Sequence, residues 1–175
     1  ELCGLRWDNV DLEAGTVRVV ESITTVDHKP VSKEVKTARS RRVVDVDAET
    51  VKVLRRWRRQ QLEQRLLMGA GWSDTGLVFT MADGSGWNPD VITRAWVRLV
   101  EATELPRIRL HDLRHSHGSH LLAAGVNVKL VSERLGHASV SFTLDCYAHV
   151  MPGQQADAAA AVAALVDAWP IVTKM

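Results

Sequence analysis

The sequence predicts an α+β fold that is mostly helical and has a small antiparallel sheet of three strands near its N-terminus. β-Branched residues are concentrated between residues 16 and 46, which favours strands in that region. After residue 48, apolar residues recur at helical spacing, interrupted by short segments that contain glycine or proline. With 175 residues, the chain is long enough to form one domain with its own core.

The predicted sheet lies in the first third of the chain. Residues 1–7 are expected to end a helix that directs Leu2 and Leu5 into the core, and a turn is expected at 8–12. Strands are expected near 16–20, 30–36 and 41–46, with Arg39 and Ser40 at the tip between the last two.

Capping residues mark the ends of the predicted helices. Helices are expected at 48–68, from 89, from 111 to 124, at 128–135, around Tyr147 and at 156–168. The expected N-caps are Asp47, Asn88 before Pro89, and either Ser139 or Ser141. Gly69, Gly125 and Gly136 are expected to end three of these helices. The first helix is expected to direct Val51, Leu54, Trp57 and Leu66 toward the core, and a short strand is expected at 77–79.

Composition argues against two broad classes of protein. No apolar run approaches the roughly 18 residues that a membrane span needs, so no membrane association is expected. Cys3 and Cys146 are too few for a disulfide framework, and a reducing cytoplasm is the expected location. The chain opens at Glu1 without a methionine, which indicates a piece of a longer protein.

The basic residues are grouped, although the net charge is only +1. Between residues 29 and 42, Glu34 is the single acid beside Lys29, Lys33, Lys36, Arg39, Arg41 and Arg42. A second basic group lies at 52–65. Such groups can bind phosphates while the whole chain stays near neutral. For the second group, a solvated basic helix face is an equal alternative.

The stretch from His111 to His115, His-Asp-Leu-Arg-His, is the strongest chemical signal. In the first turn of a helix, His111 and Arg114 share one face, where imidazole and guanidinium groups suit the oxygens of a phosphate. His137 and Tyr147, the only tyrosine of the chain, fit the same idea. A phosphate clamp with one tyrosine hydroxyl indicates phosphoryl transfer through a phosphotyrosyl intermediate.

Three short segments, in this order, resemble the catalytic domain of tyrosine recombinases, the phage integrase family. They are His-Asp-Leu-Arg-His-Ser at 111–116, Leu-Gly-His-Ala-Ser at 135–139 and Tyr-Ala-His-Val at 147–150. The resemblance covers nearly all of the chain and implies the DNA breaking-rejoining fold. It implies site-specific recombination of double-stranded DNA, integration or excision, for a phage or mobile element. It also implies a homotetramer on DNA and a reaction that needs neither a metal nor a cofactor.

The resemblance also assigns roles to residues. Tyr147 would be the nucleophile that forms a 3′-phosphotyrosyl bond, and His111 would exchange a proton with its hydroxyl. Arg114 and His137 would hold the non-bridging oxygens. Lys36 would protonate the 5′ leaving oxygen, with Lys33 as the rival assignment. The supporting residues would be Glu1 and His115, and the DNA contacts would be Lys33, Arg39, Arg41 and Arg42.

The chain departs from the family pattern at its start. The first arginine of the family lies in a Gly-x-Arg-x-x-Glu-Leu segment, and Glu1-Leu2 matches the end of that segment. The arginine would therefore precede residue 1, and Arg6 is interpreted as a structural or DNA-backbone-contacting residue. The isolated 175 residues are expected to cleave DNA weakly or not at all.

Three alternatives remain open. His111, His115, His117 and His120 crowd one helix, but no cysteine or carboxylate is arranged to complete a zinc site, so no metal is expected. Residues 1–152 form the expected core, and the helix within 153–175 either packs on its own domain or docks on a neighbouring protomer. The rival functions are a type IB topoisomerase, which uses the same nucleophile, and a catalytically silent DNA-binding module.

Overall fold

Two small antiparallel sheets and a set of helices make up the computed structural model, which describes residues 1–27, 29–34, 41–148, 159–160 and 162–164. The first three-stranded sheet contains β1 (Val10–Asp11), β2 (Thr16–Val19) and β5 (Arg42–Asp45) in the order β1-β2-β5. The second ladder pairs β3 (Glu21–Val26) with β4 (Lys29–Glu34). The predicted fold class, mostly helical with a small antiparallel sheet, is confirmed.

The membership of the sheet differs from the prediction. The strand expected at 30–36 corresponds to β4, which pairs with β3 and does not join the three-stranded sheet. Strand β3 was not predicted separately because it follows β2 after one residue, so the β-rich pattern runs on without a visible break. Asp27, with φ of 48°, forms the turn between β3 and β4, a conformation that aspartate tolerates better than most residues. The tip expected at Arg39 and Ser40 lies outside the described residues.

The N-terminal segment also differs from the prediction. Instead of the end of an α-helix, it forms a short 3-10 helix at Leu2–Gly4 and another at Trp7–Asn9. Leu2 is 53% exposed and does not enter the core. Between these two 3-10 helices, Arg6 forms an isolated β-bridge with Leu77. The short strand expected at 77–79 is thus limited to this bridge at Leu77.

Helix α1 (Ala48–Met68) has the predicted bounds, and helix α2 (Pro89–Glu101) begins where it was expected. The Asp47 carboxylate accepts hydrogen bonds from two backbone N–H groups of the first turn of α1, which fixes the start of that helix. Leu66 was expected in the core, but it is 83% exposed because the core-facing stripe of α1 ends earlier. None of the described helices is long and apolar enough to cross a membrane.

Helices α3 (Asp112–Ala123), α4 (Val128–Leu135) and α5 (Val140–Tyr147) pack together around a small apolar cluster. Its buried members are Leu122, Val131, Leu135 and Tyr147. Gly136 ends α4 in the left-handed conformation, with φ of 69°. Ser139, and not Ser141, caps α5 by accepting a hydrogen bond from a backbone N–H. Residues 159–160 and 162–164 are helical, and the rest of the predicted last helix lies outside the described residues.

Candidate active site

The start of α3 presents His111, Arg114 and His115 beside α4 and α5. Asp112, in the same turn, binds the Arg109 guanidinium, with an Arg109 Nη2 to Asp112 Oδ1 distance of 2.8 Å. Hydrogen bonds from the Arg109 side chain and backbone lower the pKa of Asp112 to about 2. Because Asp112 is engaged by Arg109, it does not neutralise Arg114.

Arg114 spans from α3 to the C-terminal end of α4. Its Nη2 donates a hydrogen bond to the carbonyl oxygen of Leu135, and its Nη1 lies 3.6 Å from Glu1 Oε2. The side chain is 27% exposed, so it combines a fixed position with access from solvent. Burial lowers the pKa of Arg114, Glu1 opposes that effect, and the nearby positive charge of Arg42 adds to it.

Glu1 binds Arg42 through both carboxylate oxygens, at 3.0 Å from Nη1 and 2.9 Å from Nη2. Arg42 also donates from Nε to the carbonyl oxygen of Arg134 at 2.8 Å, and its side chain is 11% exposed. Burial raises the pKa of Glu1, but the hydrogen bonds and charge of Arg42, together with Arg114, outweigh it and leave the pKa below its usual value. Glu1 is therefore an ionised carboxylate between two arginines.

Tyr147 is the last residue of α5 and is 1% exposed. Its hydroxyl oxygen lies 3.3 Å from His115 Nδ1. The ring packs on α3 at Gly118, where an added Cβ would be only 2.7 Å from the hydroxyl oxygen. Burial and the neighbouring Cys146 raise the pKa of Tyr147, and Arg114 opposes them. The hydroxyl is therefore protonated at neutral pH and touches a group that can accept its proton.

His137 follows the cap of α4 and faces the same tyrosine. Its ring is nearly parallel to that of Tyr147, at 15° and a centroid distance of 6.4 Å. Its Nδ1 lies 2.8 Å from Thr143 Oγ1, so Nε2 is the nitrogen through which the ring would donate to a phosphate. Burial and the charges of Arg114, His115 and Arg42 lower the pKa of His137, which favours a neutral ring.

The structure brings His115, rather than His111, against the tyrosine hydroxyl. The His111 ring lies edge-on to that of His115, at a centroid distance of 5.1 Å. The sequence predicted His111 for the proton exchange because an imidazole titrates near neutrality, whereas the geometry favours His115, one helical turn further along α3. His111 contacts His115 and not the tyrosine hydroxyl in the interactions described, and it remains a predicted site residue.

The predicted DNA-contacting residues have different placements. Arg41 is exposed just before β5, whereas Arg42 is turned inward to Glu1 and α4. Lys36 and Arg39 lie outside the described residues, and so does the side chain of Lys33. An open cleft of about 800 Å³ beside the site is lined by apolar side chains, by the carboxylates of Asp45 and Glu133, and by the basic residues Arg41, Arg42, Lys129, Arg134 and His137.

Three residues of the site were not predicted from the sequence. Arg134 contributes its carbonyl oxygen to Arg42 and donates from Nη1 to the carbonyl oxygen of Asp45. Thr143 orients the imidazole of His137. Gly118 provides the space for the phenol of Tyr147, and a glycine within a helical pattern was the one available signal for such close packing.

Arg6 binds Glu21 and the carbonyl oxygen of Thr75, at 3.0 and 2.6 Å. These contacts link the N-terminal segment to β3, in agreement with a structural interpretation of Arg6. Within the described ranges, no group of three or more potential metal ligands occurs.

Comparison with known sequences finds relatives over most of the chain. A model of the phage integrase family matches residues 1–153. The ICEBs1 integrase of Bacillus subtilis is 33% identical over 159 residues, which cover 91% of this chain and 43% of that protein. A XerC-like tyrosine recombinase of Caldanaerobacter subterraneus is 29% identical over 170 residues, which cover 90% of this chain and 44% of that protein. The chain thus spans less than half the length of these relatives.

Solved structures match the same architecture. The Tn1549 transposon integrase, in complex with transposon right end DNA, matches with a TM-score of 0.70 at 20% identity, covering 95% of this chain and 54% of that one. The XerA recombinase matches with a TM-score of 0.62 at 25% identity, covering 83% of this chain and 46% of that one. At 20% identity, the match to the transposon integrase establishes a shared fold.

Proposed function

Because the chain belongs to the phage integrase family, we propose that it cuts and rejoins double-stranded DNA as the catalytic domain of a site-specific tyrosine recombinase. One observation carries this proposal: the hydroxyl of the single tyrosine contacts His115 within a site that also holds Arg114 and His137. A nucleophile, a base beside it and hydrogen-bond donors for an oxyanion are the groups that phosphoryl transfer requires.

In the cleavage step, the Tyr147 oxygen attacks the scissile phosphorus and its proton passes to His115. Arg114 and His137 donate hydrogen bonds to the non-bridging oxygens, where negative charge accumulates. The bond from phosphorus to the 5′ oxygen breaks, and that oxygen takes a proton from a general acid. Lys36 is the candidate acid and Lys33 its rival, on the grounds of the sequence alone.

Rejoining reverses the same step with another strand. The 3′-phosphotyrosyl bond conserves the energy of the phosphodiester, so the 5′ hydroxyl of a second strand can displace Tyr147 without nucleotide hydrolysis. The named relatives are integrases and Xer-type recombinases, and the transposon integrase was solved on DNA. We therefore infer a double-stranded DNA substrate from a phage or mobile element. The tetramer during exchange and the cytoplasmic location that we also propose rest on the resemblance of the motifs and on the composition alone.

A second candidate function is a DNA-binding module without cleavage activity. The observation that favours it is the burial of Tyr147, which at 1% exposure does not meet a DNA phosphate where it lies. Cleavage requires the last turn of α5 to move the phenol toward solvent, whereas binding alone requires no such movement.

Trapping of a covalent complex separates the two functions. The whole gene product is incubated with a nicked duplex that carries the junction sequence of the element, so that the cleaved strand loses its short 3′ fragment and cannot be rejoined. The recombinase proposal predicts a protein–DNA adduct that resists denaturation, and Tyr147→Phe must abolish it. Absence of the adduct, with DNA binding retained, would establish the silent module.

The same assay tests the interpretation of the start of the chain. If the first phosphate-binding arginine precedes residue 1, the 175 residues alone form far less adduct than the whole gene product. Equal adduct formation by both would contradict that placement.

A further inference from the structure

Arg42 and Arg114 come from different parts of the chain and meet at one place. Arg42 begins strand β5 and Arg114 lies on α3, yet they donate to consecutive carbonyl oxygens, those of Arg134 and Leu135. Glu1 lies between the two guanidinium groups. The last carbonyl groups of α4 have no hydrogen-bond partner within the helix, and they lie at its negative pole. Both features favour cations at this place.

Glu1 is shared unequally between these arginines. Arg42 engages both carboxylate oxygens at 2.9 and 3.0 Å in the bidentate geometry that is strongest for this pair of groups. Arg114 reaches the same carboxylate only at 3.6 Å, beyond the distance of a good hydrogen bond. Arg114 thus experiences the negative charge without giving it a well-formed hydrogen bond.

We propose that Arg42 is a positioning residue that holds Glu1 back from Arg114 and so keeps the Arg114 guanidinium able to bind the scissile phosphate. This inference rests on the proposed role of Arg114 in phosphate binding. Without Arg42, the Glu1 carboxylate loses its main partner and turns to Arg114, the remaining cation beside it. The Arg114–Glu1 pair then closes, and a phosphate must compete with a carboxylate for the same N–H donors.

The local structure is shaped for a guanidinium at this position. A Cβ on Gly136 would lie 2.8 Å from Arg42 Nη1, so the absence of a side chain there makes room for Arg42. A lysine would keep the charge but would lack the paired donors that bind both oxygens of Glu1 and a carbonyl group together. The arrangement is therefore specific to arginine.

A purely structural role for Arg42, as a link between β5 and α4, is the competing explanation. That link does not depend on Arg42 alone, since Arg134 Nη1 donates to the carbonyl oxygen of Asp45 at 2.9 Å. The two explanations differ in what Glu1 does. In the proposal, the carboxylate causes the defect once Arg42 is gone, whereas in a structural role it does not.

A double-mutant cycle in the whole gene product provides the test, with Arg42→Ala, Glu1→Gln and the two combined. The rate of adduct formation on the nicked duplex is expected to fall about tenfold or more in Arg42→Ala, as for loss of one charge-assisted hydrogen bond. Adding Glu1→Gln is expected to restore most of that rate, because the neutral amide no longer competes for Arg114. A double variant as slow as Arg42→Ala, or an Arg42→Ala rate within about twofold of wild type, overturns the proposal.

Arg6→Ala is the matched control for loss of a structural arginine. Arg6 also joins a carboxylate to a backbone carbonyl group, but its partners are Glu21 and Thr75 and not residues of the site. It is expected to lower the melting temperature without slowing adduct formation in folded protein. Equal slowing by Arg6→Ala and Arg42→Ala at equal loss of stability would assign Arg42 a structural role and refute the inference.

A second measurement keeps this inference separate from the proposed function. The same proteins are titrated with inorganic phosphate while the imidazole resonances of His137 are followed. If wild type forms no adduct, the recombinase proposal fails, and the phosphate titration alone decides the role of Arg42. Weaker phosphate binding in Arg42→Ala, recovered by Glu1→Gln, supports the inference, and unchanged or undetectable binding overturns it.

Discussion

The absence of a side chain at Gly118 lets the phenol of Tyr147 approach the backbone of α3, and Gly118→Ala tests that packing. The new Cβ would lie 2.7 Å from both the Tyr147 hydroxyl oxygen and its Cζ, and 3.1 Å from Leu135 Cδ1. Ordinary contact begins near 3.4 Å, so the ring must retreat by about 0.7 Å or leave the site. The backbone of α3 cannot give way without breaking its helical hydrogen bonds.

Two opposing effects determine the expected change in stability. Overpacking of a well-filled site costs about 1–3 kcal/mol. Replacing glycine by alanine within a helix stabilises the fold by about 1 kcal/mol, because alanine has the higher helix propensity. The free energy of unfolding is therefore expected to fall by about 0–2 kcal/mol, in contrast with Ser116→Ala on the same helix, which is exposed and is expected to change stability by less than about 1 kcal/mol.

The pKa of the phenol is the more decisive measurement, because Tyr147 is the only tyrosine and its ionisation can be followed by absorbance near 295 nm. Wild type is expected to titrate above the usual value of about 10, since burial raises the pKa. The stability that this shift contributes is present below the unfolded pKa and is lost as the pH rises through the folded pKa. Gly118→Ala should lower the pKa toward 10 by exposing the ring. An unchanged pKa and unchanged stability would refute the packing argument.

Three further predictions concern the surroundings of the site. Ser139→Ala should lower the free energy of unfolding by about 1 kcal/mol in urea titrations, because α5 loses its N-cap, and Ser139→Asp should retain it. Asp112, whose pKa is lowered to about 2, stabilises the fold at pH values above 3.8, the usual pKa of an aspartate. That stabilisation is lost as the pH falls toward 2. Arg109→Ala should return that pKa toward 3.8 in carboxyl carbon NMR spectra, and no change would contradict the pairing. His137 should titrate below 6.5 in imidazole NMR spectra. The stability that its lowered pKa contributes is present above pH 6.5 and is lost as the pH falls through the pKa of the folded protein. Arg114→Ala should raise that pKa, since it removes a nearby positive charge.

The helices were predictable because their signals are local. Asp47 and Gly136 were predicted from residues within one turn of them, and the structure has both at helix ends. For α5 the sequence left Ser139 and Ser141 open, and the structure has Ser139 as the N-cap. The three motifs predicted the nucleophile and its neighbours, because the resemblance to the family depends on the order and spacing of those motifs. What they predicted, and what the structure brings together, is the group of Arg114, His137 and Tyr147.

The remainder depends on contacts between residues far apart in the sequence. Strand partners are an example, since nothing local to 29–34 distinguishes pairing with β3 from joining β2. The histidine that contacts the Tyr147 hydroxyl is another, because His111 and His115 lie one turn apart and the packing of α5 selects between them. The inward direction of Arg42 likewise follows from Glu1 and the end of α4, neither of which its own sequence neighbours reveal.

The charges at the end of α4 give a reason why the proposed phosphate site would need a second arginine. Glu1 alone with Arg114 would form a neutral pair and leave no net charge to attract a phosphodiester, which carries a single negative charge. Arg42 changes that balance, because two guanidinium groups around one carboxylate leave one positive charge at the site. The carbonyl groups of Arg134 and Leu135 hold both cations in place despite their mutual repulsion. The excess charge then lies on Arg114, the more exposed of the two guanidinium groups, on the side of the site that contains Tyr147 and His137.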